Sequence, residues 1–223
     1  MLLACEIVSG RIPAGQPFPS AEEVVTGYGV SRTVARETVQ TLALLGLVRV
    51  QHGKRTEVLP SEEWDVLSAI VQGALRREGK AAEFVRDVYS FRLLIEPEAA
   101  ALMATDGDTA ALAELDRLAS AMEESAGGAN GDAVMAADRD FHNLVARASG
   151  NRIIAAVSRD IREILRTLWE LSRPDPEEQK QMAQQHRRIE DAIARRGPEA
   201  AAAAMREHLV WASKADIGRL QQP

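Results

Sequence analysis

The stretch GVSRTVARETVQTLALLGLVRVQHG, Gly29 to Gly53, decides the fold of the N-terminal part of the chain. Ser31 is a residue type that caps helices, because its side-chain oxygen accepts a hydrogen bond from a free backbone N–H, and Gly46 is the type that ends them. A helix of about four turns is predicted between these two residues. The helical period gives a buried stripe of Val34, Val39, Leu42 and Leu45, and it places Arg32, Thr33, Arg36 and Gln40 on other faces.

After Gly46 the period of the apolar residues changes from 3.6 to 2. This change predicts two short strands, residues 47–50 and 56–59, joined by a basic hairpin tip at residues 52–55. Upstream, Ser20 caps a short helix, residues 21–26, after a proline-rich extended loop. A short helix, a glycine turn, a helix that begins with Arg and a basic hairpin are typical of a winged helix-turn-helix, whose second helix enters the major groove of double-stranded DNA.

The same residues resemble the DNA-binding domain of the GntR family of bacterial transcription regulators. The similarity is carried by SGRIPAGQPFPS at 9–20, by the helix sequence at 29–48 and by VQHGKRTEV at 50–58, whose QHGK wing is similar to that of the fatty-acid regulator branch. The resemblance implies DNA contacts from this helix and wing, and the predicted set is Ser31, Arg32, Thr33, Arg36, His52 and Gly53. In the motif Pro19-Ser20-Ala21-Glu22-Glu23, Glu22 stands where the family usually has Arg.

Composition and charge limit the class of protein. The chain has 223 residues, of which 46% are hydrophobic, and its net charge is −6. Residues 1–60 hold six Lys/Arg and five Asp/Glu, and the remainder holds 21 and 28, so DNA affinity has to come from a few placed cations and from dimerisation. The lone cysteine, Cys5, excludes an intrachain disulfide, and we find no signal peptide or membrane-spanning run, so we expect a cytoplasmic location and no membrane partner.

A domain boundary is predicted at Pro60-Ser61, with a DNA-binding domain at 1–60 and an all-helical domain at 64–223. Clusters of Gly, Pro, Asn and Asp divide the second domain into about seven helices. Their predicted ranges are 64–78, 82–105, 109–126, 132–148, 151–172, 177–196 and 198–219. The expected fold class is therefore mainly α, with a β-hairpin wing and a C-terminal antiparallel helical bundle.

Three of the four histidines fall at inward positions of the predicted bundle. His142 lies one turn after Asp138 on one helix, and His186 and His208 lie on the apolar stripes of two later helices. One such histidine is usually a core residue with a satisfied hydrogen bond, but three buried imidazoles each need a partner. Asp138 with three His predicts a divalent transition-metal site, with Zn²⁺ first and Ni²⁺, Mn²⁺ or Fe²⁺ as alternatives.

The second domain is similar to the all-helical effector-binding domain, the FCD type, of the FadR subfamily. The similarity is carried by DRDFH at 138–142, ASGN at 148–151, HRRI at 186–189 and MREH at 205–208. Metal-binding members of that subfamily use an Asp and three His at the matching positions, and the resemblance implies the same ligand set here. The fatty-acid regulator itself lacks this set, which argues against acyl-CoA as the effector.

Arg92 has two interpretations. It could form an intrahelical pair with Glu96, or it could contact the carboxylate of an effector beside the metal, as the corresponding Arg of similar regulators does. The leading hypothesis is a homodimeric regulator, not an enzyme, that binds a pseudo-palindromic operator and a small organic or sugar acid. Two alternatives stay open: a metal-dependent hydrolase or lyase, against which the absence of HExxH argues, and a regulator whose metal is structural or is itself the signal.

Overall fold

The structure is a computed structural model that describes residues 1–51, 53–128, 131–169 and 173–221. The chain divides into two compact units, Met1–Ala81 and Ala82–Pro223. Within the described residues there are ten α-helices and one two-stranded antiparallel sheet, which confirms the predicted fold class. Among the helices described, none combines the length and the apolar character that crossing a membrane requires.

The first unit contains four helices and the hairpin. Their bounds are α1 Leu2–Val8, α2 Ala21–Tyr28, α3 Arg32–Leu44, β1 Val48–Arg49, β2 Glu57–Val58 and α4 Ala69–Arg77. The strands are shorter than predicted, with Val48 opposite Val58. The proline-rich segment, predicted as a loop, lies along the free edge of β2, because the backbone N–H of Phe18 donates to the Thr56 carbonyl at 2.7 Å.

The predicted ends of α3 are confirmed by its local geometry. Ser31 has extended backbone angles, and its Oγ accepts a hydrogen bond from the Val34 N–H at 3.2 Å. Gly46 follows the end of the helix with φ +68°, and a Cβ at this position would lie 2.0 Å from the Glu63 carbonyl oxygen. A glycine is therefore required there both by its backbone angle and by the close approach of the chain.

The predicted apolar stripe of α3 is wrong at Val34, which is 44% exposed. The buried positions are Ala35 and Leu42, and Val39 and Leu45 pack partly against them. Successive residues of a helix are separated by about 100°, so the neighbour of Ala35 faces away from the core. The buried face therefore keeps Leu42, Val39 and Leu45 but includes Ala35 instead of Val34, which lies on the surface beside the basic residues.

The first unit extends beyond the predicted boundary after residue 60, because α4 packs against α1. Lys80 Nζ donates to the Val8 carbonyl at 2.8 Å, and Arg11 forms an ion pair with Glu78 at 3.1 Å. The predicted helix at 64–78 begins later, since Ser68 caps α4 through the Ile70 N–H. The division into functional domains at 1–60 and 64–223 stays a prediction.

The second unit consists of six helices. Their bounds are α5 Ala81–Asp106, α6 Thr109–Ser125, α7 Gly131–Ala148, α8 Arg152–Trp169, α9 Pro176–Ala194 and α10 Pro198–Leu220. Each lies close to its predicted range, although the predicted end of α8 at 172 falls outside the described residues. Helix α7 packs against α6, α8 and α9, and α9 also packs against α10. This arrangement brings inward-facing residues of α5, α7, α8, α9 and α10 to one buried centre.

Candidate metal centre

The structure brings all four predicted metal ligands together inside the second unit. Asp138 and His142 come from α7, His186 from α9 and His208 from α10. None is more than 3% exposed, and one ligand atom from each lies within 4.8 Å of the others. Asp138 and His142 lie on the same face of α7 because they are one helical turn apart in the sequence. His186 and His208 are brought to the same place by the packing of α9 and α10.

The distances between the donor atoms fit one metal ion. His186 Nε2 lies 3.1 Å from His142 Nε2 and 3.1 Å from Asp138 Oδ1. His142 Nε2 lies 3.7 Å from the same carboxylate oxygen. Neighbouring ligands of an ion with bonds of about 2.0–2.2 Å are about 3.0–3.5 Å apart, so two distances match and the third is slightly longer.

Each of the three histidines has an acceptor beside its Nδ1 atom. The pairs are His142 with Glu96 Oε2 at 2.7 Å, His186 with the Met182 carbonyl at 2.8 Å, and His208 with Gln185 Oε1 at 2.9 Å. These acceptors favour a proton on Nδ1 and leave Nε2 with a free lone pair, which is the tautomer used by metal-ligating histidines. A cation would satisfy the lone pairs that converge on the Asp138 carboxylate.

The electrostatic environment keeps the ligands in metal-binding form. Burial alone would raise the pKa of the Asp138 carboxyl, but its hydrogen bond with His186 and the nearby Arg162 guanidinium hold that pKa well below its usual range. Burial, helped by the Arg162 guanidinium, lowers the pKa of His142 to about 3. Burial also lowers the pKa of His208 well below its ordinary value. At neutral pH the carboxylate is ionised and these two imidazoles are neutral, as metal coordination requires.

A buried carboxylate, Glu96 on α5, connects the centre to two guanidinium groups. Arg92 Nε donates to Glu96 Oε1 at 2.6 Å, and Arg162 Nη2 donates to both carboxylate oxygens at 3.0 Å. Arg162 Nη1 also lies 3.4 Å from Asp138 Oδ2. Burial would raise the pKa of Glu96, but Arg162 and Arg92 hold it well below its usual range, so this carboxyl is ionised.

The intrahelical pair predicted for Arg92 is therefore present, and Arg92 also lines a cavity beside the ligands. The cavity measures about 20 Å³, and Asp138, Arg162, His208 and Trp211 are among the residues that line it. A volume of this size holds about one water molecule. An organic acid would have to displace side chains to enter, and the role of Arg92 as an effector ligand stays a prediction.

Arg162 and the connecting role of Glu96 were not predicted from the sequence. Arg162 is 1% exposed on α8, beside the buried Ile161 and Leu165. In the sequence, Arg162 could have been found as a charged residue at an inward position of an amphipathic helix. Glu96 was identified only as the i+4 partner of Arg92, because its contacts with Arg162 and His142 join α5 to residues of α8 and α7 that are distant in the sequence.

The predicted DNA-contacting residues lie on the surface of the first unit. Arg32, Thr33 and Arg36 are exposed at the beginning of α3, after the cap Ser31, and Gly53 has φ +73° in the hairpin. His52 lies outside the described residues. A groove of about 420 Å³ runs between α3 and the hairpin, and its lining includes the cationic side chains of Arg36, Lys54 and Arg55. The DNA contacts themselves stay a prediction.

The acidic residue at position 22 is also on this surface. Glu22 Oε1 lies 3.8 Å from Arg32 Nη2, and both side chains are at least 80% exposed. An exposed pair of this kind contributes at most about 1 kcal/mol to stability. Glu22 therefore places a negative charge next to one of the predicted DNA contacts.

Each of the two units contains a match to a known protein family. Residues 2–58 match the family described as bacterial regulatory proteins, gntR family. Residues 87–210, more than half of the chain, match the FCD domain. These matches confirm both resemblances that were identified in the sequence.

Curated relatives match over nearly the whole chain. It is 31% identical over 206 residues to the HTH-type transcriptional repressor NanR of Citrobacter rodentium, covering 87% of this chain and 75% of NanR. It is 28% identical over 211 residues to the HTH-type transcriptional regulator LutR of Bacillus subtilis, covering 91% of this chain and 92% of LutR. Among solved structures, a GntR protein of Streptococcus agalactiae shares the fold with a TM-score of 0.53 and 23% identity, over 94% of this chain and 99% of that one.

Proposed function

The chain belongs to the GntR family of bacterial regulatory proteins and is a DNA-binding transcription regulator with an FCD domain; from this premise we propose that it senses a small organic or sugar acid through a divalent metal ion. Its family excludes the metal-dependent hydrolase as the main activity. The metal would be held by Asp138, His142, His186 and His208. The observation that carries the proposal is the convergence of one donor atom from each of three buried histidines and one buried carboxylate within 4.8 Å of one another.

A bound ion would supply coordination positions for an acid's carboxylate and neighbouring hydroxyl group. Four protein ligands complete a tetrahedral site, but Zn²⁺ can expand to five ligands and ions such as Ni²⁺ or Mn²⁺ take up to six, so a position would remain for the acid. The Arg92 guanidinium lines the adjoining cavity and presents donors in the geometry that carboxylates accept. We therefore assign Arg92 the role of orienting the acid, while the four ligands hold the metal.

The first unit supplies the output of this sensor. Arg32, Thr33 and Arg36 would contact the major groove from α3, with Ser31 at the start of the helix and His52 and Gly53 in the wing. A two-fold homodimer would bind a pseudo-palindrome, and the name of the NanR relative supports repression as the mode of action. An acid can change operator affinity only through its different affinities for the two conformations, and such coupling typically amounts to about 5- to 150-fold.

The first test concerns the metal. Protein purified without chelators should contain one transition-metal ion per chain by elemental analysis, and His142→Ala/His186→Ala should contain almost none. His52→Ala is the matched control, since it removes the remaining histidine of the chain and should keep the metal. Equal and negligible metal in all three proteins would refute the metal site.

The second test measures coupling between acid and DNA. An operator is selected from random DNA, and its affinity is measured by fluorescence anisotropy with metal-loaded protein and a panel of organic and sugar acids. The active acid should change operator affinity about 5- to 150-fold, and metal removal or Arg92→Ala should abolish this response. If the metal raises thermal stability but no acid alters DNA binding, the metal is structural. If the metal itself alters DNA binding, it is the signal.

A further inference from the structure

The buried centre of the second unit contains an equal number of positive and negative side chains. Arg92, Glu96, Asp138 and Arg162 have side chains that are at most 5% exposed, and they form one connected cluster. Two guanidinium groups face two carboxylates, so the cluster has no net charge. Because an uncompensated buried charge is strongly unfavourable, this balance allows the four charges to remain in the interior.

A divalent metal ion would change this balance. Histidine binds metal as neutral imidazole, so His142, His186 and His208 add no compensating charge. Asp216 and Arg219, at the wall of the same cavity, add one acid and one base and leave the sum unchanged. Glu178, the second acid paired with Arg219, has a side chain that is 25% exposed and does not line the cavity, so its charge is stabilised by water. With the metal bound, the centre would carry two net positive charges in a setting that is nearly closed to solvent.

We propose that the effector of this regulator is a dianion, namely a small dicarboxylate, and that metal and dianion bind as a mutually dependent pair. This inference rests on the proposed function and specifies the charge of its effector. One carboxylate would reach the metal, and the second would lie against the cavity side of the Arg92 and Arg162 guanidinium groups, once the side chains that limit the cavity to about 20 Å³ have moved. The two negative charges restore the neutrality that the metal removes.

Arg162 is suited to receive the second carboxylate. It lines the cavity together with Arg92, and both guanidinium groups share the single carboxylate of Glu96. Its Nε is buried without a hydrogen-bond partner among the described residues, which leaves an unused donor. Its Nη1 lies 3.4 Å from Asp138, whose carboxylate would turn its charge towards the metal. A planar guanidinium with free donors binds a carboxylate through two hydrogen bonds.

The first experiment compares acids that differ by one charge and little in shape. Zn²⁺-loaded and chelator-treated full-length protein are titrated in a calorimeter with succinate, malate and tartrate, and with the half-amide of each acid. At least one dicarboxylate should bind the Zn²⁺-loaded protein about tenfold or more tightly than its half-amide, and none should bind the chelator-treated protein measurably.

The outcomes separate this inference from the proposed function. Binding of monocarboxylates and half-amides with the affinity of the dicarboxylates would overturn the dianion and leave an acid-sensing regulator. Dicarboxylate binding that is undiminished without Zn²⁺ would overturn the mutual dependence. Absence of binding by these dicarboxylates, together with a response of operator binding to a monocarboxylate, would also overturn the inference while the proposed function survives. Absence of any response to acids would refute both.

The second experiment does not depend on the identity of the effector. The affinity for Zn²⁺ is measured by competition with a chromophoric chelator in chloride buffer without carboxylates, for the wild type, Arg162→Gln and Arg162→Lys. Because Arg162→Gln removes one positive charge near the metal, it should bind Zn²⁺ about tenfold or more tightly, whereas Arg162→Lys should resemble the wild type. Arg92→Gln is a second variant with the same expected direction.

A purely structural role for Arg162 predicts the opposite sign, since a disturbed centre holds metal less well. Circular dichroism identifies which variants are folded, and only folded variants are compared. Unchanged or weaker Zn²⁺ affinity in folded Arg162→Gln or Arg92→Gln would overturn the charge argument. Tighter binding in the Gln variants, with wild-type affinity in Arg162→Lys, would support it.

Discussion

The two units place arginine side chains in opposite environments, exposed in the first unit and buried in the second. The side chain of Arg32 on α3 is 80% exposed and lies 3.8 Å from a single exposed acid, Glu22. The side chain of Arg92 on α5 is 1% exposed and bonded to the buried Glu96. A guanidinium on the surface is stabilised by water, so it is available to an incoming phosphate, whereas a buried one has to be neutralised by the protein or by a ligand.

This difference in burial determines whether a substitution is expected to affect binding alone or binding and folding together. An exposed residue on the predicted DNA surface can be removed with little effect on folding, because it contributes few contacts. In the candidate metal centre each charged residue compensates another, so a substitution is expected to affect binding and folding together. Predictions that test the contrast therefore compare the effect of a substitution on unfolding with its effect on binding.

The largest expected effect on stability is that of Glu96→Gln. It leaves Arg92 and Arg162 without their shared carboxylate, and breaking a buried ion pair from one side costs about 3–5 kcal/mol of unfolding free energy. Glu98→Gln, an exposed neighbour on the same helix, is the matched control and should change it by less than about 0.5 kcal/mol. Urea unfolding followed by circular dichroism measures both. Equal stability of the two variants would mean that the buried cluster is not a coupled unit.

Arg32→Ala and Arg36→Ala should show the reverse pattern. Each should weaken operator binding by about 1–3 kcal/mol, since an Arg that contacts guanine or phosphate contributes this much. Their unfolding free energies should stay within about 0.5 kcal/mol of the wild type, because both side chains are exposed. Anisotropy titrations on the selected operator measure the first quantity, and Arg152→Ala, an exposed residue of the second unit, is the control. Unchanged operator affinity in both variants would remove α3 from the interface.

A similar contrast, between features that depend on the local chain and features that depend on packing, explains which parts of the structure could be predicted from the sequence. Helix ends such as Ser31 and Gly46 were predictable, because a cap and a left-handed glycine act on their own backbone. The four candidate metal ligands, which the structure brings together, could be selected from inward positions of polar residues on apolar stripes. Val34 was misplaced by one residue, since the phase of a buried face depends on what packs against it.

Other features of the centre could not be read from one helix at a time. Arg162 and Glu96 are 66 residues apart, and neither has a local pattern that indicates the other. Their contact exists because α5 and α8 both border the same buried centre. The balance of charges in a protein interior depends on how the helices assemble. It can be worked out only when the ion-pair partner of each buried charge is known.

The smallest expected effect concerns Glu22, where the family usually has Arg. Glu22→Gln should strengthen operator binding by less than about tenfold, because an exposed charge pair contributes at most about 1 kcal/mol. Two causes act in the same direction: the acid no longer repels phosphates, and Arg32, 3.8 Å away, no longer has a competing partner. The gain should shrink as salt is raised from 50 to 200 mM, since the Debye length falls to less than about 10 Å.

Glu22→Arg sharpens the same prediction, because it restores the usual cation and should strengthen binding further than Glu22→Gln. Glu124→Gln, an exposed acid of the second unit, controls for the change in net charge and should leave operator affinity unchanged. Weaker operator binding by Glu22→Gln would show that Glu22 orients Arg32 towards DNA instead of competing for it. The predicted DNA surface would then depend on charge compensation between neighbouring side chains, as the candidate metal centre does, and the contrast between the two units would be one of degree.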